Sequence, residues 1–280
     1  MDDELSKLMA GGDTQPAIYA NFVVNARGFG PSPNEWADVI TALYKYMESE
    51  QYSDSIDGSY ASTRVDGAKK YLSTMTSIEN NLPVCQDRVA VLMDFIAAME
   101  QRMGDTLPAD QRMQRPLSEV GYSRQPIARL KAHSEQHSSN FIMGLCMAVL
   151  EDTFPDEGFQ LAQHIIMRVY EPHDAALGET FITALMQAYT INGGGFSHAA
   201  AGTSINSAKR VTNDSWKAFR LSLAQDEKYL QQVSLETARL KREMEAEKDQ
   251  GVVLCLAELK EETKKRGDMW EGIGRTALEV

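Results

Sequence analysis

Two clusters of basic and aromatic residues could bind a polyanion. Basic island one comprises Arg102, Arg112, Arg115, Tyr122, Arg124, Arg129 and Lys131, and basic island two comprises Lys209, Arg210, Trp216, Lys217, Phe219 and Arg220. A guanidinium presents a planar pair of N–H donors to phosphate oxygens, and an aromatic ring offers a face on which an unpaired base can stack. We therefore predict that all of these residues except Arg102 and Phe219 contact single-stranded nucleic acid, RNA in particular.

The islands are local exceptions in an acidic chain. The protein carries a net charge of −12, yet residues 101–150 hold six basic and four acidic side chains, and residues 201–225 hold four basic and one acidic. An acidic protein repels polyanions as a whole, whereas a basic strip within it can still hold one. The alternative is that the arginines pair internally with acids of residues 1–100 or 151–200. The two interpretations differ in whether both islands face a single groove.

Motifs of well-known catalytic sites do not occur in the sequence. There is no glycine-rich loop that ends in Gly-Lys-Ser/Thr and no Gly-x-Ser-x-Gly. His133 and His137 have the spacing of metal ligands on one helix face, but no third ligand lies near them in sequence. We therefore predict that the protein is not an enzyme and holds no metal and no cofactor. An active site assembled from distant residues stays open as an alternative.

Cysteine usage and hydropathy predict a cytoplasmic protein. Cys85, Cys146 and Cys255 are far apart and lie among apolar neighbours, which favours reduced thiols. The longest apolar run, residues 141–150, is too short to span a membrane, and the negative net charge disfavours an anionic lipid surface. We expect no membrane partner.

Hydrophobic periodicity predicts an all-α, multi-helix protein with little or no sheet. The first helix is predicted to begin at Ser32, where a capping-box pattern (Ser32 to Glu35) precedes an apolar face that ends at Met47. Further helices are predicted near residues 66–80, 84–103, 126–150, 155–172 and 173–191, with loops at 51–62 and 104–126. The triple glycine at 193–195 is predicted to end the last of these helices.

Three segments are predicted along the chain: an extended N-terminal arm (1–31), a helical body (32–200) and a long C-terminal helical extension (201–280). In the extension, a heptad pattern from Trp216 has apolar residues at seven of ten positions, and it predicts one helix of about 36 residues that ends at Gly251. We predict that the protein forms a homo-oligomer through residues 1–31 and 214–250. Packing of these segments on their own chain is the alternative.

The predicted organisation resembles that of helical viral nucleocapsid and filament coat proteins. It shares with them a helical body, a positive groove and terminal arms that are exchanged between copies. The resemblance is one of architecture, and no family motif is matched residue by residue. It implies a self-assembling, non-enzymatic structural protein that holds RNA without reading its sequence, in the host cytoplasm and in the virion. The alternative function is an acidic, all-helical scaffold or adaptor that binds proteins and no nucleic acid.

Overall fold

The fold combines helices with a small antiparallel sheet. The computed structural model describes residues 12–59, 69–104, 111–113, 115–135, 137, 140–203, 206–249, 261 and 264. In this part of the chain the helices are α1 (Pro33–Glu48), α2 (Glu50–Ser59), α3 (Met75–Glu79), α4 (Gln86–Gly104), α5 (Pro126–Ser134), α6 (Phe141–Thr153), α7 (Pro172–Leu185), α8 (Asn213–Ala224) and α9 (Glu227–Asp249). The strands are β1 (Ala17–Val24), β2 (Ser118–Ser123) and β3 (Gln160–Arg168). The predicted all-α class is therefore wrong.

The sheet lacks the sequence pattern that usually announces a strand. Its order is β2-β1-β3, so that β1 pairs with a strand on each side. β1 is covered on both faces and, apart from Asn21, it is built of apolar residues and tyrosine, so that it shows no alternation of polar and apolar residues. The segment of the helix predicted near 155–172 that forms β3 shows an apolar spacing of four residues, as between Leu161 and Ile165, which fits one face of a helix and also one face of a strand.

The first helix forms as predicted, and it anchors the main core. Ser32 Oγ accepts from the backbone N–H of Glu35 at 3.3 Å, and Glu35 Oε2 accepts from the backbone N–H of Ser32 at 2.6 Å. This reciprocal capping box satisfies two donors that would otherwise be unpaired at the helix start. The apolar face of α1 packs against α4 and α6, and every residue of α6 from Leu145 to Leu150 is buried.

Two helices cover opposite faces of the sheet. On one face, Ile18 and Ala20 of β1 pack with Ile182 of α7. On the other face, Tyr19 of β1 packs with Leu130 of α5. Among the described residues β2 is an edge strand, and α5 and α7 therefore flank its outer edge on either side.

Other predicted elements differ in their extent. The helix predicted at 126–150 is broken into α5 and α6, and the long heptad helix is broken into α8 and α9. The predicted loop at 51–62 overlaps α2, and α3 is the only helix described within 66–80. Contacts divide the chain into two units, residues 1–219 and 220–280. In the described part of the chain, no helix is both long and apolar enough to cross a membrane.

The triple glycine lets the chain return close to β2. The backbone N–H of Phe196 donates to the carbonyl of Ser118 at 2.8 Å. A Cβ placed on Gly195 would lie 2.1 Å from that Ser118 oxygen and 2.6 Å from the carbonyl oxygen of Ala188. Only glycine fits between these two backbones, and the approach aligns residues 196–201 with the outer edge of β2.

Replacement of Gly195 by alanine is expected to destabilise the protein by about 2 kcal/mol, because the added methyl group must displace backbone atoms. Chemical denaturation monitored by circular dichroism measures the change. The matched control is Gly58→Ala in α2, where a Cβ meets no atom within 4 Å, and its stability should be equal or slightly higher. Equal stability of Gly195→Ala and the parent protein would contradict the close approach.

Candidate nucleic-acid interface

A cleft runs along the outer edge of β2, between α5 and α7. Its inner part, called the inner pocket, has a volume of about 450 Å³ and is lined by Tyr19, Glu119, Tyr122, Glu179, Ser197 and His198, among others. Its outer part, called the basic mouth, measures about 360 Å³ and is lined by residues that include Arg124, Gln125, Ala128 and Arg210. Ser123, Arg129 and Ser207 line both parts, which together we name the edge cleft. Both volumes lie in the range of small-molecule sites.

Both basic islands contribute to the basic mouth. Arg124 lies in the turn between β2 and α5, and Arg129 lies on α5, whereas Arg210 comes from the 3₁₀ turn Ala208–Arg210. Arg124 and Arg210 are exposed, and neither forms an ion pair with a carboxylate that the structure describes. Their positive charge is therefore available to an anion that enters the cleft.

A polar network forms the floor of the cleft beneath Arg129. The Tyr19 hydroxyl lies 3.0 Å from His133 Nε2 and accepts from Arg129 Nε at 3.2 Å. The phenol oxygen can accept from Arg129 and still form a second hydrogen bond with the imidazole of His133. Nδ1 lies 3.3 Å from Glu119 Oε2, a contact without hydrogen-bond geometry. The network fixes the position of Arg129 from below.

Glu119 is held at the centre of this floor by amide donors. Asn21 Nδ2 donates to Oε2 at 2.7 Å, and Asn140 Nδ2 donates to Oε1 at 3.0 Å. Burial raises the pKa of Glu119, and these two hydrogen bonds partly offset the shift. Burial, followed by the nearby charge of Arg129, lowers the pKa of His133 to about 3, so that its ring is neutral. Burial also raises the pKa of Tyr19.

A glycine on β2 makes room for the phenol of this network. Tyr19 and Gly121 are directly opposite in the β1–β2 register. A Cβ on Gly121 would lie 2.5 Å from the Tyr19 hydroxyl, so that any side chain there would push the phenol away from His133 and Arg129. Gly121 belongs to no sequence motif. Its role in making room for the Tyr19 phenol is visible only from the pairing of β1 with β2.

Three residues that line the inner pocket carry a buried polar atom without a partner in the described part of the protein. The Tyr122 hydroxyl, Glu179 Oε2 and Ser197 Oγ are buried without a hydrogen bond in the described part of the protein. Burial raises the pKa of Glu179 and raises that of Tyr122 to about 12. Glu179 had no distinguishing sequence signal, since it is one of several acids in a helical segment.

The other predicted contacts lie outside the edge cleft. Arg112 forms an ion pair with Glu35 and lies 2.9 Å from Glu157 Oε2, which is the internal pairing given as the alternative. Lys131 Nζ lies 3.6 Å from Glu135. Four further exposed cations do not line the cleft, namely Arg115, Lys209, Lys217 and Arg220.

The stacking role predicted for Trp216 needs correction. Trp216 is 2% exposed, and it packs in the cluster of Ile18, Val120 and Ile182. Its ring face is covered by the protein, because α8 uses it to dock on the sheet. Of the predicted contacts, Tyr122, Arg124, Arg129 and Arg210 are the ones that line the edge cleft.

The two histidines with metal-ligand spacing are separated by the fold. His133 is buried in the floor network, whereas His137 is exposed and lies beyond the end of α5 at Ser134. In the residues open to description, no group of three histidine, cysteine or acidic side chains is arranged to hold a metal ion. Cys85 and Cys146 are free thiols, and Cys255 lies outside the described residues.

No known family supplies residue roles for the edge cleft, because comparison of the chain with family models, with curated proteins and with solved structures finds no match. The chemistry of the cleft follows from its own groups. Guanidinium groups at the mouth attract anions.

Proposed function

We propose that the protein binds single-stranded nucleic acid, RNA in particular, in the edge cleft, as a self-assembling structural protein without catalytic activity. One observation carries the proposal: Arg124 and Arg129 of the first basic island meet Arg210 of the second in a single cleft. Ser123 and Ser207 lie beside them and offer hydroxyl donors to phosphate oxygens. Phosphate neutralisation at the mouth supplies the affinity.

The shape of the cleft favours a single strand over a duplex. The inner pocket has the volume of a small-ligand site, and it shares Ser123, Arg129 and Ser207 with the basic mouth. A single strand can turn an unpaired base into such a pocket while its phosphates stay at the mouth. A duplex keeps its bases stacked and paired, and it would present only its phosphates.

The floor network supports a binding role without catalysis. Acid–base catalysis needs a group that can exchange a proton with a substrate. The two oxygens of Glu119 already accept from Asn21 and Asn140, and the Tyr19 hydroxyl is occupied by His133 and Arg129. These groups are committed to holding the floor in place.

Binding to a short single-stranded RNA is expected to depend steeply on salt. Three phosphate contacts predict a slope of about −2 in a plot of log affinity against log salt concentration, which weakens binding about 20-fold between about 50 and 200 mM. Fluorescence anisotropy with a labelled oligouridine measures the slope. Absence of binding at low salt, or binding that does not respond to salt, would refute the proposal.

Self-association is the second part of the proposed function, and α9 is the element that we assign to it. Leu230, Val233 and Leu240 follow the heptad spacing on α9, and all three are exposed. Residues 17–24, part of the segment 1–31 that was expected to self-associate, form β1, whose edges are both paired within the chain. We therefore keep the proposal for residues 214–250, with α9 of a second copy as the partner.

The double substitution Leu230→Lys with Leu240→Lys is expected to weaken self-association about 30-fold or more, because it places charges in an apolar seam. Light scattering across a range of protein concentrations measures the mass. The matched control is Leu235→Lys, an equally exposed leucine that lies off the heptad positions, and it should assemble like the parent. An oligomer insensitive to the double substitution would exclude α9 as the interface.

A protein-binding scaffold is the second candidate function, and one observation favours it. Leu177, Phe181 and Leu185 occur four residues apart on α7, and each is about two-thirds exposed. Such an apolar stripe is typical of a surface that docks on another protein. The absorbance of the purified protein at 260 and 280 nm separates the two candidates, because a scaffold carries no nucleic acid.

A further inference from the structure

The described part of the chain begins beside the basic mouth, at a hydrogen-bonded aspartate. Asp13 Oδ1 accepts from the backbone N–H of Ile127 at 2.7 Å, and both of its carboxylate oxygens lie 3.2 Å from the backbone nitrogen of Ala128. Asp13 thereby caps the start of α5, where the side chain of Gln125 forms no capping bond. Because Gln125 and Ala128 both line the basic mouth, this cap holds the chain at the edge of the cleft.

A second side chain fixes the backbone on both sides of Asp13. Arg168 Nη1, at the end of β3, donates to the carbonyl oxygen of Gly12 at 3.0 Å and to that of Gln15 at 2.6 Å. Residues 1–11 lie outside the described residues, but the point from which they extend is set by these bonds. They leave the fold at Gly12, next to the start of α5.

The segment that extends from this point is complementary in charge to the mouth. Residues 2–4 are three successive acids, and Lys7 is the one basic side chain among residues 1–11. At the mouth, Arg124 and Arg210 are exposed and form no ion pair with a described carboxylate. A guanidinium binds a carboxylate through the same planar pair of donors that it offers to a phosphate.

The fixed starting point also keeps these acids within reach of the mouth. Extended chain spans about 3.4 Å per residue, so that the residues between Gly12 and position 4 reach about 27 Å. That distance is large compared with a mouth of about 360 Å³. A group on so short a connection meets its site at an effective concentration in the millimolar range. Even a weak contact of the acids with the arginines is then formed in a large share of the molecules.

We propose that the basic mouth is the docking surface for residues 2–4 of the same chain, which occupy it in the free protein and are displaced when nucleic acid binds. The displacement rests on the proposed function, because it needs a strand that enters the edge cleft, whereas the docking itself does not. The carboxylates accept from Arg124 and Arg210 at the positions that phosphates take in the complex. The apparent affinity for nucleic acid falls by the fraction of molecules whose mouth is open.

Cleavage by trypsin after Lys7 tests the docking without any nucleic acid. No other lysine or arginine precedes Arg27, so that the mass of the intact chain reports the loss of residues 1–7. Arg124→Glu with Arg210→Glu is expected to raise the initial rate of this cleavage about three-fold at low salt, because an open segment is a better substrate than a docked one.

The control for this measurement reverses two exposed cations outside the cleft. Arg115→Glu with Lys217→Glu should be cleaved after Lys7 at the rate of the parent protein. Equal rates in the parent and in both double variants would overturn the docking surface. A cleavage rate of the parent that rises on dilution would overturn the assignment to the same chain, because it would place the segment on a second copy.

Neutral substitutions of the acids test the competition with nucleic acid. The acidic-segment variant is Asp2→Asn with Asp3→Asn and Glu4→Gln. It is expected to bind the labelled oligouridine about three-fold more tightly than the parent at low salt, which corresponds to a mouth that is covered in about two-thirds of the parent molecules. Fluorescence anisotropy measures both affinities.

A triple variant with the same change in net charge separates docking from general repulsion. The control is Asp54→Asn with Asp94→Asn and Glu100→Gln, three exposed acids on α2 and α4 that do not line the edge cleft. It should bind the oligouridine like the parent. Equal affinities of the two triple variants would overturn the competition and leave the proposed function standing. Absence of binding in all three proteins would overturn the proposed function together with the displacement, and the trypsin rates alone would then decide the docking.

Discussion

The double substitution Arg124→Glu with Arg210→Glu is expected to weaken binding of single-stranded RNA by about 100-fold or more at low salt. Each arginine is exposed at the basic mouth and free of described carboxylate partners, so that both can donate fully to phosphate. A hydrogen bond to a charged group contributes about 1.5–3 kcal/mol, and the loss of two such bonds reaches the stated factor. Each glutamate also repels the phosphate that the arginine attracted.

A control with the same change in net charge isolates the cleft from the overall charge. Arg115→Glu with Lys217→Glu reverses two exposed cations that do not line the edge cleft. Exposed charges more than about 10 Å from a phosphate are largely screened at 0.1 M salt, and this control should lose only a few-fold in affinity. Equal losses in the two double variants would show that binding follows net charge and has no defined cleft.

Arg129 is omitted from this experiment because it has a structural role as well. Its Nε donates to the Tyr19 hydroxyl in the floor network. A glutamate there would face the buried Glu119 and Tyr19 without compensation, and a loss of binding could then reflect misfolding. Arg124 and Arg210 lie on a turn and on a 3₁₀ segment at the surface, where substitution leaves the packing intact.

Local interactions account for the parts of the fold that sequence could predict. The capping box of α1 depends on Ser32 and Glu35, three residues apart, and the apolar face that follows is periodic. The sheet depends on pairings such as Tyr19 with Gly121 and Ala17 with Arg168, between residues more than 100 positions apart in the chain. No local pattern encodes such a pairing, and the covered faces of β1 remove the alternation that would have announced it.

The candidate site, like the fold, has parts that the sequence could predict and parts that it could not. Residue type alone predicted that the arginines could bind phosphate. It could not predict which of the arginines would line the cleft. Arg112 and Arg124 look alike in sequence, yet one is paired with Glu35 and Glu157 and the other is left at the mouth. Glu179 was not predictable as a pocket residue, because only the packing of α7 against β2 places it in the lining of the inner pocket.

The stability of the protein is expected to fall in acid because of His133. The His133 side chain is fully buried, and burial together with the charge of Arg129 lowers its pKa to about 3, against about 6.5 in the unfolded chain. Between these two values the unfolded state binds a proton that the folded state does not. The stabilisation is therefore complete above about pH 6.5 and is lost progressively as the pH falls toward 3.

The size of this loss of stability follows from the difference between the pKa of His133 in the folded protein and its pKa in the unfolded chain. Each pH step inside the window costs about 1.4 kcal/mol, and the contribution of His133 should decline by roughly 3 kcal/mol between pH 7 and pH 4. Glu119 opposes this trend, because a carboxyl with a raised pKa destabilises the fold at neutral pH and ceases to do so in acid. The contribution of Glu119 cancels when the stability of the parent is compared with that of a variant that retains Glu119.

The free energy of unfolding of the parent is therefore expected to drop by roughly 3 kcal/mol more than that of His133→Gln over the same pH interval. The variant starts less stable at pH 7, since it disturbs the contacts with Tyr19, and the two proteins should converge in acid. Urea denaturation at several pH values measures both curves. The control His137→Gln removes an exposed histidine instead, and its curve should run parallel to that of the parent. Parallel curves for His133→Gln and the parent would contradict this prediction, because they would mean that the imidazole takes up its proton as readily in the folded protein as in the unfolded chain.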